Sequence, residues 1–134
     1  MEKLKSFFNT DRYATLSRIE LIELSEGYAR ARVEIDECHL NSVGIAHGGI
    51  IFTLGDFAKG AAANSHGRAA VAINVSIAYT KPGRKGDVLI AEAREESTSK
   101  RTSTSTVRIT NQNGDLVAHM QGTSFRRDDK FPPQ

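Results

Sequence analysis

The sequence predicts an α+β domain in which one long helix packs against a curved antiparallel sheet of five or six strands. Three observations carry that prediction. Only the stretch 47–65 keeps an apolar stripe at helical spacing over several turns. The runs after it are strand-like, the first with a clean period of two. Short turn signals separate the later runs, which suits hairpins rather than crossovers. A lone helix buries its stripe most economically against one sheet. The length, 134 residues, is that of one domain.

Residues 1–13 read as a short amphipathic helix, because Leu4, Phe7 and Phe8 fall at i, i+3 and i+4. It is expected to be a packing lid over the core. Residues 15–24 and 28–36 read as strands. In the second, Ala29, Ala31, Val33 and Ile35 point one way, and Tyr28, Arg30, Arg32 and Glu34 the other. Glu26-Gly27 suits the tight turn between them. The first run, Ile19 to Leu24, also fits helical spacing. Residues 38–44 read as a loop.

The long helix presents Ile50, Ile51, Leu54, Phe57, Ala58, Ala61 and Ala62 as its stripe. It also carries Gly48, Gly49, Gly55 and Gly60. An interior glycine costs about 1 kcal/mol against alanine, which makes sense where another backbone approaches closely. Asn64 to Gly67 supply the stop signal. Val71, Ile73, Val75, Ile77 and Tyr79 then form a period-two face, with Ala72, Asn74, Ser76, Ala78 and Thr80 opposite. Residues 81–87 turn, and 88–98, 102–111 and 116–125 follow as strands. Asn113-Gly114-Asp115 is a hairpin signal. The polar segment 128–134, with two prolines, is expected to fray.

Composition bounds the function. Lys plus Arg number 18 and Asp plus Glu 16, a net charge of +2, which is not that of a strongly basic nucleic-acid binder. No apolar run approaches the roughly 20 residues that cross a bilayer. The start, Met1 to Lys5, lacks the apolar segment of a secretory signal. The single cysteine, Cys38, excludes an internal disulfide and suits a reducing compartment. A cytoplasmic location is therefore expected.

The informative stretch is Asn41-Ser42-Val43-Gly44-Ile45-Ala46-His47-Gly48-Gly49, with Asp56 inside the following helix and Tyr79-Thr80-Lys81-Pro82-Gly83 after it. His-Gly-Gly alone is a weak signal, but the spacing of Asn41, His47, Gly48 and Asp56 makes it specific. Over about residues 24–126 the chain resembles the hotdog-fold acyl-CoA thioesterases, specifically the phenylacetic-acid-degradation thioesterase family. The resemblance implies a helix wrapped in an antiparallel sheet, dimers with a continuous sheet, often paired into tetramers, and hydrolysis of an acyl-CoA thioester. Some relatives carry a Ser or Thr after the helix that helps hold the attacking water. Here the matching stretch holds Ala72 and Asn74, and that helper is unassigned.

The chemistry can be argued from the residues as well. A thiol with a pKa near 8.5 leaves readily as thiolate, so thioester hydrolysis needs little more than a base or nucleophile and an oxyanion donor. Gly48 opens the helix, where backbone N–H groups are unpaired and the dipole is positive, and its missing side chain admits a carbonyl oxygen. Gly49 lies beside it in the cradle. Asp56 sits among Leu54, Gly55, Phe57 and Ala58, where a carboxylate needs a reason. It serves either as general base on water or as nucleophile through an anhydride. His47 either fixes the loop or polarises the carbonyl, and Asn41 either caps the loop or orients the reacting groups. Gly48 and Asp56 are eight residues apart, about 12 Å along a helix. One thioester cannot touch both on the same helix, so the site is expected to pair Gly48 of one subunit with Asp56 of another across a two-fold axis.

The phosphates of coenzyme A call for basic residues, for which Arg84, Lys85, Lys100, Arg101, Thr102 and Arg126 are candidates, though such clusters are commonly just solvated faces. Phe52, Phe57, Val75 and Ile77 are candidates for the acyl pocket. No cofactor is expected beyond the coenzyme A of the substrate, and no metal, since Cys38, His39, His47 and His66 lack zinc spacing. Cys38-His39 has no orienting partner, and no Gly-x-Ser-x-Gly elbow occurs. Two rivals stand beside hydrolysis. A hydratase or dehydratase usually needs a histidine base with an acidic partner. A non-catalytic acyl-CoA binding module would not need Asp56.

Overall fold

The computed structural model describes residues 1–133. The elements are α1 (Glu2–Phe8), α2 (Arg12–Leu16), β1 (Glu20–Ser25), β2 (Tyr28–Glu34), a 3-10 turn (Glu37–His39), α3 (Gly48–Ala63), β3 (Arg68–Tyr79), β4 (Val88–Thr98), β5 (Thr102–Thr110) and β6 (Leu116–Lys130). The six strands form one antiparallel sheet in the order β1-β2-β4-β5-β6-β3. Helix α3 lies across it, as the α+β hotdog arrangement requires. No helix is long and apolar enough to cross a membrane among the described residues.

The core forms between the α3 stripe and the inner faces of the strands. Ile51, Leu54, Phe57, Ala58 and Ala61 are buried against Ala29, Ala31, Val33, Leu89, Ala91, Val107, Ile109 and Met120. Small residues on β2 and β4 let the helix settle close to the sheet. Gly55 does the same from the helix side, since a methyl there would overlap the Met120 sulfur and touch Ile109. The close neighbour of this glycine is therefore a side chain of the sheet, whereas Gly60 faces open space. Asn64 ends α3 as the stop signal predicted. Its amide bonds the Gly60 and Ala70 carbonyls, its oxygen accepts from the Ala70 N–H, and Gly67 turns at φ +86°.

Five expectations change. The turn at 81–87, expected to close a hairpin, is a crossover: β2 and β5 occupy both sides of β4, and β3 pairs with β6 at the far edge of the sheet. The N-terminal helix stops at Phe8, and the run expected as a strand from Thr15 instead begins inside α2, capped by Asp11, which accepts from the Ala14 N–H at 2.8 Å. A five-residue helix is too short to show a periodic stripe. The face expected from Val71 to Tyr79 is interrupted by a bulge between Ala72 and Asn74. Val75 and Ile77, opposite Gly122 and Met120, pack on the core, while Val71, opposite the exposed Phe125, does not. The tail expected to fray from Asp128 continues as strand to Lys130, opposite Arg68, and Phe131 stacks on Phe8 at 5.2 Å. Gln134 lies outside the described residues.

Candidate active site

The loop before α3 is built by its own polar groups. Leu40 and Ala46 form a bridge, and the Asn41 side-chain oxygen accepts from the N–H groups of Val43 at 3.1 Å and Ile45 at 3.2 Å. Asn41 is thus the loop's internal cap. His47 caps the helix, its Nδ1 accepting the Gly49 N–H at 2.8 Å. Gly49 therefore has no free donor. The half-buried Gly48 N–H has no acceptor among the described residues, and it points out of a helix start with the positive end of the dipole behind it. The Tyr79 hydroxyl donates to the Gly48 carbonyl at 3.1 Å, and its ring fills the space a Gly48 side chain would need. A cavity of about 400 Å³ opens here, lined by Asn41, Ile45, Gly48, Ile51, Tyr79 and Lys81 among others.

Asp56 opens into a different cavity. Its volume is about 520 Å³, and it is lined by Phe7, Phe8, Tyr13, Thr53, Phe57 and Phe131 beside Asp56. Burial raises the Asp56 carboxyl above its ordinary value, and the charge of Lys59 opposes that rise. A desolvated carboxylate is a stronger base than one in water. Helices α1 and α2 are therefore walls of this cavity as well as packing. Phe8 meets Phe57 edge-on at 6.3 Å, and Phe131 closes the ring cluster.

The remaining candidates separate. Phe57 lines the Asp56 cavity, whereas Phe52, Val75 and Ile77 pack on the core and line neither cavity. Ala72 and Asn74, on either side of the bulge, also line neither, while Ala69, Ala70 and Val71 line the Asp56 cavity. Arg84 and Lys85 are exposed near the Gly48 cavity. Lys100, Arg101 and Thr102 are exposed at the opposite end of β4, roughly 35 Å away along eleven residues of strand. Arg101 is tied to Asp128 at 2.9 Å. Arg126, expected at the surface, is buried, donates to the Ser99 carbonyl at 2.6 Å and lies 3.7 Å from Glu95. It is a structural residue, because its guanidinium is already consumed inside the fold.

His39 is buried between the Ser17 carbonyl and the Asp36 N–H, while Cys38 is exposed, so the two form no dyad. No group of three or more potential metal ligands exists among the described residues. Sequence reasoning missed Thr53, Phe8 and Phe131 as cavity walls. It also missed Lys59, a buried cation on the same helix. Like Asp56, Lys59 is a charge set in an apolar stretch, between Ala58 and Gly60.

Comparison with known proteins identifies the family. Residues 43–118 match the family model of the Thioesterase superfamily. The chain is 38% identical over 134 residues to a putative esterase of Archaeoglobus fulgidus, covering 99% of this chain and 87% of that protein. It is 35% identical over 121 residues to the acyl-coenzyme A thioesterase PaaI of Escherichia coli, covering 90% and 86%. The solved structure of the Escherichia coli PaaI protein superposes with a TM-score of 0.90 at 34% identity, over 93% of this chain and 91% of that one. A thioesterase structure with coenzyme A from Streptococcus pneumoniae follows at 0.77 and 32% identity, over 81% and 87%. With its helix-borne carboxylate and open helix start, the chain belongs to the thioesterase superfamily, as a PaaI-like hotdog thioesterase.

Proposed function

We propose that the protein hydrolyses acyl-CoA thioesters at a site shared between two subunits. The observation that carries this reading is the separation of the two reactive groups. The unpaired Gly48 N–H and the half-buried Asp56 stand two turns apart on α3 and open into different cavities. A second copy with its α3 antiparallel brings Gly48 of one chain to Asp56 of the other. The sheet edge suits that copy. Strand β3 has twelve residues, no neighbour on one side, and no charge after Arg68, with Ile73 61% exposed. Such an edge is normally blocked or paired.

In this reading the carbonyl oxygen lies on the Gly48 N–H, which stabilises the oxyanion as it forms. Asp56 of the facing chain either attacks the carbonyl carbon, forming an anhydride that water then cleaves to the free acid and the regenerated carboxylate, or takes a proton from a water that attacks directly. Coenzyme A leaves as thiolate and needs no strong acid. The acyl group occupies the aromatic cavity beside Asp56, and Arg84 and Lys85 lie toward the coenzyme end. His47 and Asn41 shape the loop that presents Gly48. The coenzyme A-bound structure of the Streptococcus pneumoniae relative supports the substrate class. No further cofactor is needed, and the assembly is a dimer or a pair of dimers in the cytoplasm.

The test is thiol release from a panel of aryl- and alkyl-CoA thioesters. The native chain should be active, and folded Asp56→Asn and Asp56→Ala should lose 10²-fold or more, roughly the scale of a lost base or nucleophile. Undiminished activity in both variants would sink the assignment of Asp56. Binding of the esters without thiol release would instead favour a binding module.

A further inference from the structure

Lys59 lies on α3 one turn beyond Asp56 and is 1% exposed. A buried ammonium is strongly unfavourable unless its surroundings are polar or charged. The sheet beneath it is shaped for it. Gly122 has no room for a methyl group, which would lie 2.5 Å from the Lys59 Cε and 2.6 Å from the Asn74 carbonyl oxygen. The lysine stem therefore runs through the space a side chain would fill. Its Nζ donates to the Ser124 hydroxyl at 2.8 Å. Along the buried faces of β5 and β6, Val107, Ile109, Ala118 and Met120 give way to Ser103, Ser105, Gly122 and Ser124 in this region. The Ser105 hydroxyl is buried with no partner. The polar niche and the lysine belong together.

Two roles can be weighed. Ser124 and Lys59 have the spacing of a serine–lysine nucleophile, but they are 2% and 1% exposed, and neither cavity reaches them. Substrate cannot meet that hydroxyl. The other role is electrostatic. Two carboxylates stand near enough to influence the ammonium through space, Asp56 one turn earlier on α3 and Glu95 on β4, while its direct partner is the Ser124 hydroxyl. Glu95 is already engaged by His66, Ser103 and, at 3.7 Å, Arg126. Asp56 has no hydrogen-bond partner among the described residues. From α2, Asp11 and Tyr13 face the Asp56 cavity, and Asp11 is occupied as the helix cap.

We propose that Lys59 is a positioning residue for Asp56: its buried ammonium, fixed by Ser124, is the counter-charge that keeps the carboxylate ionised inside the cavity. The inference rests on Asp56 being the reacting carboxylate. Burial pushes the Asp56 carboxyl up and the Lys59 ammonium down, and each charge opposes the shift of the other.

The test is the pH profile of kcat/KM for thioester hydrolysis in the native protein, Lys59→Met and Ser124→Ala. Activity rises with pH as Asp56 ionises. Lys59→Met should move that acid limb up by about one pH unit, so that a roughly tenfold deficit on the limb closes toward alkaline pH. Ser124→Ala should move it the same way by less. A uniform loss at every pH, or an unmoved limb, would assign Lys59 a packing role and overturn the proposal. If Lys59→Met does not fold, the Ser124→Ala limb decides alone. Full activity in Asp56→Asn is a separate outcome, which removes the underlying reading and this inference with it.

Discussion

Gly48 occupies the first position of α3, where a backbone N–H has no helical acceptor and proline is well tolerated. His47, at φ −61° and ψ 138°, already has the backbone a residue before proline prefers. Gly48→Pro therefore removes the proposed oxyanion donor with little expected cost to the helix, provided exposed Tyr79 yields a few tenths of an ångström. Thiol release should fall by about 10²-fold with an unchanged far-ultraviolet spectrum. Gly55 answers to packing instead. A methyl group there meets Met120 and Ile109, so Gly55→Ala should lower unfolding stability by about 1–3 kcal/mol in a denaturant titration. Lys59 adds a pH signature. Its proton is lost more easily in the folded chain, so the unfolded chain binds more protons between the depressed folded value and the unfolded value near 10.4. Its contribution to stability should rise with pH across that window. Thermal melts of Lys59→Met should lack that component.

At the scale of elements, β3 and the N-terminal helices carry most of what the core does not explain. The β1 edge is short and bears Glu20 and Glu23, which discourage pairing, whereas β3 is long and nearly uncharged. Ile73→Lys places a charge on that edge. In a second copy's interface it should shift the protein toward monomer in analytical ultracentrifugation and lower activity in parallel. Full activity in a monomer would refute the shared site. Helices α1 and α2 show how an element can be read correctly in kind and incompletely in use. Leu4 and Phe8 do pack on the core, as the stripe Leu4, Phe7, Phe8 implies. That stripe could not show that Phe8 and Phe131 also wall the cavity beside Asp56, because Phe131 comes from the other end of the chain.

At the scale of the whole molecule, a site shared between chains makes two differently inactivated subunits complement each other. Asp56→Asn keeps a sound Gly48, and Gly48→Pro keeps a sound Asp56. If each site takes one group from each chain, a mixed dimer has one intact site. Equal mixing after subunit exchange should restore about a quarter of native activity, since half the dimers are mixed and each has one working site of two. Two inactive proteins that stay inactive when mixed, with exchange shown by mass, would place both groups in one chain.

The sequence by itself determined the helix-on-sheet architecture, the hairpins at Gly27 and Gly114, the stop at Asn64, and the family to which Asn41, His47, Gly48 and Asp56 point. These are local properties: side-chain period, turn backbone and residue spacing along one helix. Only the tertiary structure decided which charges are buried and what they meet. Arg126 could pass for a phosphate ligand until the fold placed it against Ser99 and Glu95. Lys59 could pass for a solvated lysine until α3 laid it over Gly122 and Ser124. The physical reason is that burial and counter-charge depend on residues far away in the chain, and one strand's pattern contains neither its neighbour's side chains nor the bulge that breaks its own face.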